Sequence, residues 1–192
     1  MKSSAKRPLV IVLIICAAIL LGFVTDAIWS LIEKAQYSTD YEEIVSRYSE
    51  EYNVPKDLVF AVIKVESDFD PKAESSAGAL GLMQMMPDTF AEITDDFLCE
   101  HLPFEALTDP EVSIRYGTYY LAYLYRYFDY NWHNAIAAYN GGMGNVSKWL
   151  KDPENVDDEG NLKHIPFSET RSYVSKVEKA REFYEAALAK NA

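Results

Sequence analysis

Glu66 is the residue whose sequence context best suits it to exchange a proton. An apolar helix is expected over Asp57–Glu66, and one face of that helix carries Val59, Val62, Ile63 and Glu66. The carboxyl of Glu66 thus continues an apolar stripe and lies near the helix C-terminus, where the helix dipole disfavours negative charge. Burial and dipole both raise a carboxyl pKa, and glycosidic cleavage uses a carboxylic acid that is still protonated near neutral pH. An ordinary surface glutamate at a frayed helix end is the alternative.

A glycine-rich block, Gly78–Gln84, follows the glutamate at short range. Its glycines allow the backbone to approach a ligand closely. Gln84 offers a donor and an acceptor to acetamido and hydroxyl groups. Met83 and Met86 could line a saccharide groove, since methionine suits adaptable apolar surfaces, although core filling is an equal alternative for Met83.

Two later blocks add rings, amides and a second carboxyl. Tyr139 and Asn140 stand at the end of a predicted helix, just before a pair of glycines. Glu169 and Tyr173 are four residues apart, so they share one face of the last predicted helix. A buried tyrosine with a satisfied hydroxyl is the alternative for Tyr139, and a glutamate favoured by the helix dipole is the alternative for Glu169.

The order of these blocks carries more information than any one of them. The chain resembles the catalytic domain of lytic transglycosylases of the soluble-lytic-transglycosylase (SLT) type, in the lysozyme-like superfamily. Four blocks in family order carry this resemblance: Glu66-Ser67, Gly78–Gln84, Ala138–Gly142 and Ile165–Val174. The resemblance covers roughly residues 41–184 and implies a mainly α, lysozyme-like transglycosylase domain that acts on peptidoglycan glycan strands. It implies a catalytic role for Glu66, and substrate-binding roles for Ser67, Met83, Gln84, Tyr139, Asn140, Glu169 and Tyr173.

The resemblance also implies a mechanism with one catalytic glutamate. Glu66 would protonate the oxygen between N-acetylmuramic acid and N-acetylglucosamine, and its carboxylate would then take the proton of the muramic acid C6 hydroxyl as a 1,6-anhydro ring closes. Hydrolases normally add a second carboxylate; Asp68 and Asp70 are near in sequence but are expected in a solvated loop. A hydrolytic muramidase of goose-lysozyme type and an inactive wall-binding component of an envelope-spanning assembly stay as alternatives.

Charge and composition disfavour several other classes of function. The chain has a net charge of −12, and its first 25 residues contain three basic and no acidic side chains, so the remainder is more acidic still. Nucleic acid binding is therefore disfavoured. The three histidines are scattered and no phosphate-binding glycine loop occurs, so we expect neither a metal nor a cofactor. Cys16 and Cys99 predict no disulfide framework.

The N-terminus predicts a membrane anchor. Lys2, Lys6 and Arg7 precede an apolar run, so we expect a cytoplasmic basic tail at 1–8, a transmembrane signal-anchor at 9–29, a linker at 30–38 and the catalytic domain at 39–190. The positive flank places the N-terminus in the cytoplasm and the catalytic domain outside it. A cleaved signal peptide is the main alternative, but no small-x-small cleavage site follows the run; Ile15 before Cys16 disfavours a lipoprotein.

Helical periodicity dominates the rest of the chain. Tyrosines crowd one predicted helix; core packing is the default for each ring, and sugar stacking is open for a few. Ser168 is expected to cap the last helix. The other helices are predicted at Tyr41–Tyr52, from Pro87 to about Ile93, from Asp109-Pro110 to about Phe128, at Asn134–Tyr139 and from Ser168 to about Leu188, with a small hairpin or irregular segment at 74–86.

Overall fold

The structure is a computed structural model that describes residues 6–190. The first five residues of the predicted cytoplasmic tail lie outside the described residues. The chain divides into two compact units, Met1–Ser38 and Thr39–Ala192, and each is described by itself.

The first unit consists of one helix, α1, which spans Lys6–Gln36. Its segment Val10–Ile28 is 19 residues long and apolar enough to cross a membrane, by length and composition. At about 1.5 Å per residue this segment reaches roughly 28 Å, close to the thickness of a bilayer hydrocarbon core. The helix continues to Gln36, so most of the predicted linker at 30–38 is helical.

The second unit is almost entirely helical. Its α-helices are α2 (Glu42–Tyr52), α3 (Lys56–Ser67), α4 (Pro87–Ala91), α5 (Pro110–Tyr127), α6 (Trp132–Gly141), α7 (Met143–Trp149) and α8 (Ser168–Ala189). A π-helical segment spans Glu92–Phe97, and short 3₁₀ turns occur at Phe104–Thr108 and Pro153–Asn155. The predicted mainly α class is confirmed.

Helix α3 is central to this unit. Every residue from Leu58 to Ile63 is fully buried, because α8 and α2 both pack against α3. The expected single apolar stripe was therefore too narrow, since a helix that is apolar all round is buried all round. The helix reaches the surface at its first two residues and again from Lys64 onward, in the last turn where Glu66 lies.

The segment between α3 and α4 is irregular. Isolated bridges join Glu74 to Leu80 and Leu80 to Met85, without a continuous strand. Gly81 has φ 83°, and a Cβ there would lie 2.2 Å from the Leu107 carbonyl oxygen, so only glycine fits. The loop is thereby held against the core cluster, which includes Met85 and Leu107.

Two helix starts test the predicted caps. Asp109 caps α5 as expected, because its Oδ1 accepts the Glu111 backbone N–H at 2.8 Å. Ser168 does not cap α8; it is the first helical residue, and the preceding Phe167 provides no side-chain cap. Helix α7 was missed, because the two glycines that end α6 read as the start of a loop, and a seven-residue helix has little periodicity.

Candidate active site

Glu66 lies in the last turn of α3, immediately before a sharp change in chain direction. Asp68 takes a left-handed conformation, φ 52°, and its N–H bonds to the Lys64 carbonyl at 3.2 Å. Phe69 is also left-handed, with φ 67°, so the chain leaves the helix axis at once. The Glu66 side chain stays largely buried, and burial raises its pKa from 4.5 to about 7.

Two tyrosines lie near the Glu66 carboxyl, the partly exposed Tyr139 from α6 and the buried Tyr173 from α8. Burial, and then the negative charge of Glu66, hold the pKa of both phenols well above the usual value. Both rings are therefore neutral donors wherever Glu66 titrates. Helices distant in sequence supply them, which explains why the packing of α6 and α8 is needed to complete the site.

Among the described residues, the Tyr173 hydroxyl alone opposes the effect of burial on the Glu66 pKa. It lies close enough to stabilise the ionised carboxyl, and so lowers the Glu66 pKa slightly. Yet this buried oxygen completes no hydrogen bond of standard geometry with another of the described residues. A buried polar oxygen without such a bond is costly.

Ser67 ties α3 to the glycine-rich loop. Its Oγ donates to the Leu82 carbonyl at 2.9 Å and lies 3.2 Å from the Ile63 carbonyl within the helix. The hydroxyl therefore holds the loop beside the residue that follows Glu66. This geometry gives Ser67 a positioning role for the segment 82–84.

The Tyr139 hydroxyl fixes the same loop from the other side. It donates to the Met83 carbonyl at 2.8 Å, so this ring is oriented by the backbone. The Met83 N–H in turn bonds to Ser113 Oγ at 3.1 Å. Sequence reasoning missed these backbone acceptors, because a carbonyl leaves no signature in the residue type.

Met83 belongs to the core. Its side chain has no exposed surface and packs against Gly117 of α5, where a Cβ would lie 2.4 Å from the Met83 sulfur. The expectation that Met83 lines a saccharide groove is therefore corrected, since a fully buried side chain cannot meet a ligand. Met86, three residues on, is 42% exposed and is the methionine of this loop that solvent reaches.

Gln84 uses its amide mainly inside the loop. Its backbone is left-handed, φ 47°, and its Nε2 donates to the Ala73 carbonyl at 2.8 Å and to the Gly81 carbonyl at 3.0 Å. Both amide hydrogens are thus committed to the protein. The expected donor function toward acetamido groups is therefore absent in this geometry, and the Oε1 acceptor is the part that a ligand can use.

Asn140 and Glu169 come together in a cavity of about 510 Å³. The C-terminal end of α6 and the N-terminal turn of α8 form it, with lining residues Asn140, Gly141, Pro166, Phe167, Ser168, Glu169 and Thr170. Glu66 is not a lining residue, but the cavity borders its surroundings, since Tyr139 precedes Asn140 and Tyr173 is one helical turn after Glu169. The exposed Phe167 was not predicted; its place beside Pro166 in the last block was the available signal.

The other acids near Glu66 in sequence are engaged elsewhere. Asp68 is exposed and paired with Lys64, and Asp70 Oδ1 accepts the Lys72 N–H at 2.9 Å. Both carboxylates are exposed, whereas the Glu66 carboxyl is largely buried. Among the described residues, no group of three histidine, cysteine, aspartate or glutamate side chains could hold a metal ion.

This arrangement suits one kind of chemistry. A carboxyl with a pKa near 7 can donate a proton and take one back at neutral pH without a change of environment. The neutral Tyr173 phenol beside it can donate a hydrogen bond to the carboxylate, whereas the Tyr139 proton is already donated to the Met83 carbonyl. The adjoining cavity offers an exposed amide, a carboxylate and an aromatic face, which together suit a polar ring-shaped ligand.

Sequence comparison places the chain among known proteins. The family described as "Transglycosylase SLT domain" matches residues 43–161. The soluble lytic murein transglycosylase of Escherichia coli K12 is 35% identical over 156 residues, a match that covers 80% of this chain and 24% of the relative. The membrane-bound lytic murein transglycosylase C of Edwardsiella ictaluri is 33% identical over 168 residues, covering 75% of this chain and 46% of the relative.

Solved structures give the same fold. The lytic transglycosylase Slt of Pseudomonas aeruginosa, as an inactive mutant, matches with a TM-score of 0.73 and 33% identity, over 80% of this chain and 25% of that one. A 70 kDa soluble lytic transglycosylase in complex with bulgecin A matches with a TM-score of 0.74 and 35% identity, over 79% and 25%. The chain thus spans about a quarter of these larger proteins. Its fold is lysozyme-like, and the chain belongs to the transglycosylase SLT domain family.

Proposed function

We propose that this protein is a peptidoglycan lytic transglycosylase with Glu66 as its general acid and then its general base. The observation that carries the proposal is the largely buried carboxyl of Glu66, whose pKa is raised by burial to about 7. Two neutral tyrosines, Tyr139 and Tyr173, lie near this carboxyl. Family membership supports the reaction class, since the matched relatives are named lytic murein transglycosylases.

Each step of the proposed reaction uses a group in this site. Protonated Glu66 donates its proton to the bridging oxygen between N-acetylmuramic acid and N-acetylglucosamine, and that bond breaks. The substrate's acetamido group stabilises the cationic C1. The Glu66 carboxylate then removes the proton of the C6 hydroxyl, whose oxygen attacks C1 to close the 1,6-anhydro ring. The proton balance closes, and no water is consumed.

The surroundings of Glu66 support a single-carboxylate mechanism. Asp68 and Asp70 are exposed and already paired, so they are poorly suited to act as a nucleophile or as a base for water. Glu169 lines the neighbouring cavity with Asn140, and we assign both to substrate binding. The remaining binding and positioning groups are Ser67, the side-chain Oε1 of Gln84, Tyr139 and Tyr173.

The N-terminal helix supports a location at the membrane. We propose that α1 anchors the chain in the cytoplasmic membrane, with the N-terminus inside and the catalytic domain outside, where peptidoglycan lies. The apolar segment Val10–Ile28 and the basic residues Lys6 and Arg7 before it favour this orientation. Protease protection of tagged termini in membrane vesicles tests it.

The decisive experiment is mass spectrometry of peptidoglycan digested by the full-length chain in detergent, beside Glu66→Gln. Anhydro-muropeptides from the native chain alone are the expected result. Products with reducing ends would instead assign a hydrolytic muramidase and direct attention to Glu169 as the second carboxylate. A folded native chain without any product would leave wall binding as the function.

A further inference from the structure

A series of tyrosine rings leads from the candidate site along one face of α5. The ring of Tyr139 packs against Tyr120, with centroids 5.5 Å apart. Tyr120 is followed by Tyr123 at 6.3 Å and Tyr123 by Tyr127 at 6.3 Å. The positions 120, 123 and 127 have i, i+3, i+7 spacing, so helix geometry places them in a row.

The rings are regular in orientation as well as in spacing. The planes of Tyr120 and Tyr123 differ by 12°, and those of Tyr123 and Tyr127 by 29°. At a centroid separation of 6.3 Å neither pair of rings is in close face-to-face contact. Exposure increases outward, since Tyr120 and Tyr123 are half-buried and Tyr127 is 50% exposed.

The outermost ring is held in place although it is half exposed. Tyr127 makes an edge contact with the buried Phe128, with centroids 4.9 Å apart and planes at 77°. Its hydroxyl also accepts a long hydrogen bond from Ser147 Oγ of α7, at 3.5 Å. A large exposed ring that is fixed from two sides is preorganised for a ligand, because little side-chain freedom is lost on binding.

We propose that Tyr123 and Tyr127 form a saccharide-stacking track that binds the glycan strand several sugar units from Glu66. Pyranose rings present apolar C–H faces, which pack on aromatic faces, while their hydroxyls remain hydrated. Neighbouring ring centroids lie 6.3 Å apart, a spacing comparable to the length of one β-1,4-linked sugar unit. A linear strand of repeating rings is the ligand that fits a linear series of rings.

Two further features favour a polysaccharide strand over an unrelated partner. The track is continuous with Tyr139, whose neighbour in sequence, Asn140, lines the cavity shared with Glu169. Burial raises the pKa of both Tyr120 and Tyr123, and the nearby negative charge of the Glu92 carboxylate raises it further. This carboxylate provides an acceptor for sugar hydroxyls and amides beside the track, and it repels anionic ligands such as nucleic acids.

The proposed function identifies the strand that this track would bind, and the proposal rests on it in that respect alone. Binding along the track can be tested separately from cleavage. The full-length chain in detergent is assayed on long uncrosslinked glycan strands and on a tetrasaccharide of the same repeat. Cleavage at the central bond of the tetrasaccharide leaves only two sugar units on the side of the track, whereas three ring-to-ring steps separate Tyr139 from Tyr127. Tyr127→Ala is expected to lower kcat/KM on long strands by about two- to tenfold and to leave the tetrasaccharide rate unchanged. Tyr127→Phe keeps the ring and should behave as the native chain.

The matched control is Tyr130→Ala. Tyr130 is 69% exposed and packs on Tyr125, away from the track, so its removal should change neither rate. Equal losses on long and short substrates after Tyr127→Ala, or no loss on either, would overturn the proposal, because the first indicates a structural role and the second no contact. Thermal melting of each variant confirms that it is folded.

Direct binding separates the track from the reaction. In the Glu66→Gln background, co-sedimentation with insoluble peptidoglycan is compared with and without Tyr127→Ala. Weaker binding of the double variant supports the track even if the native chain cleaves nothing, a result that would refute the proposed function alone. Equal binding by both variants refutes the track even if the native chain is active.

Discussion

Substitution of Glu66 by glutamine should increase the stability of the catalytic unit at high pH and abolish activity. Folding raises the Glu66 pKa from 4.5 to about 7. Between these two values the folded state binds the proton more tightly than the unfolded state, so stability falls as pH rises through this window. Below pH 4.5 the carboxyl is protonated in both states and no such cost exists.

The size of the effect follows from the width of the window. A pKa difference of about 2.5 units, at about 1.4 kcal/mol per unit, corresponds to about 3 kcal/mol lost by pH 8. Glutamine has the same shape and no charge, so Glu66→Gln should recover this amount at pH 8 and nothing at pH 4. For a unit of this size, about 3 kcal/mol corresponds to a melting temperature higher by roughly 6–12 °C.

The assay is thermal unfolding of both proteins, followed by circular dichroism, from pH 4 to pH 8. Only the difference between the two variants is interpreted, because other titrating groups contribute equally to both. Glu169→Gln is the matched control: Glu169 is exposed, so its replacement should change the stability of the unit only slightly. A Glu66→Gln difference that is absent at pH 8, or constant across the range, would refute the desolvation of Glu66.

Three further predictions concern the groups that position the site. Tyr173→Phe should move the alkaline limb of the kcat/KM profile above pH 7, because the Tyr173 hydroxyl lowers the Glu66 pKa; a downward shift would contradict this contact. Gly81→Ala should lower the free energy of unfolding in urea by about 2–4 kcal/mol, because its positive φ is strained for alanine and the new Cβ would clash with the Leu107 carbonyl. Gly78→Ala, with a similar φ but open space around it, should lower it by only about 1 kcal/mol. Equal losses for the two variants would refute the clash. Ser67→Ala should cost about 1 kcal/mol and lower kcat more than it raises KM, since its hydroxyl holds the loop at Leu82; full activity would show that the loop keeps its place without this bond.

The helical class and most helix positions followed from local properties of the sequence. Asp109-Pro110-Glu111 marks the start of α5 through cap chemistry that depends on a few adjacent residues. The same local reasoning failed at Ser168, where the chain provides a capping residue type but the helix begins one position too early to use it. It also missed α7, whose seven residues hold too little periodicity.

The sequence by itself determined that Glu66 stands in the last turn of an apolar helix, and the order of blocks around it identified the family. Only the tertiary structure decided how the site is built around that glutamate. Desolvation of its carboxyl needs α8 packed on α3, and the tyrosines beside it come from α6 and α8. Met83 is buried in the core, and the side-chain amide of Gln84 is bonded to the Ala73 carbonyl of its own loop. Neither placement is visible in the sequence, because residue type alone does not show which backbone carbonyl or which packing face a side chain meets. Local spacing thus names the acid, while long-range packing sets its pKa.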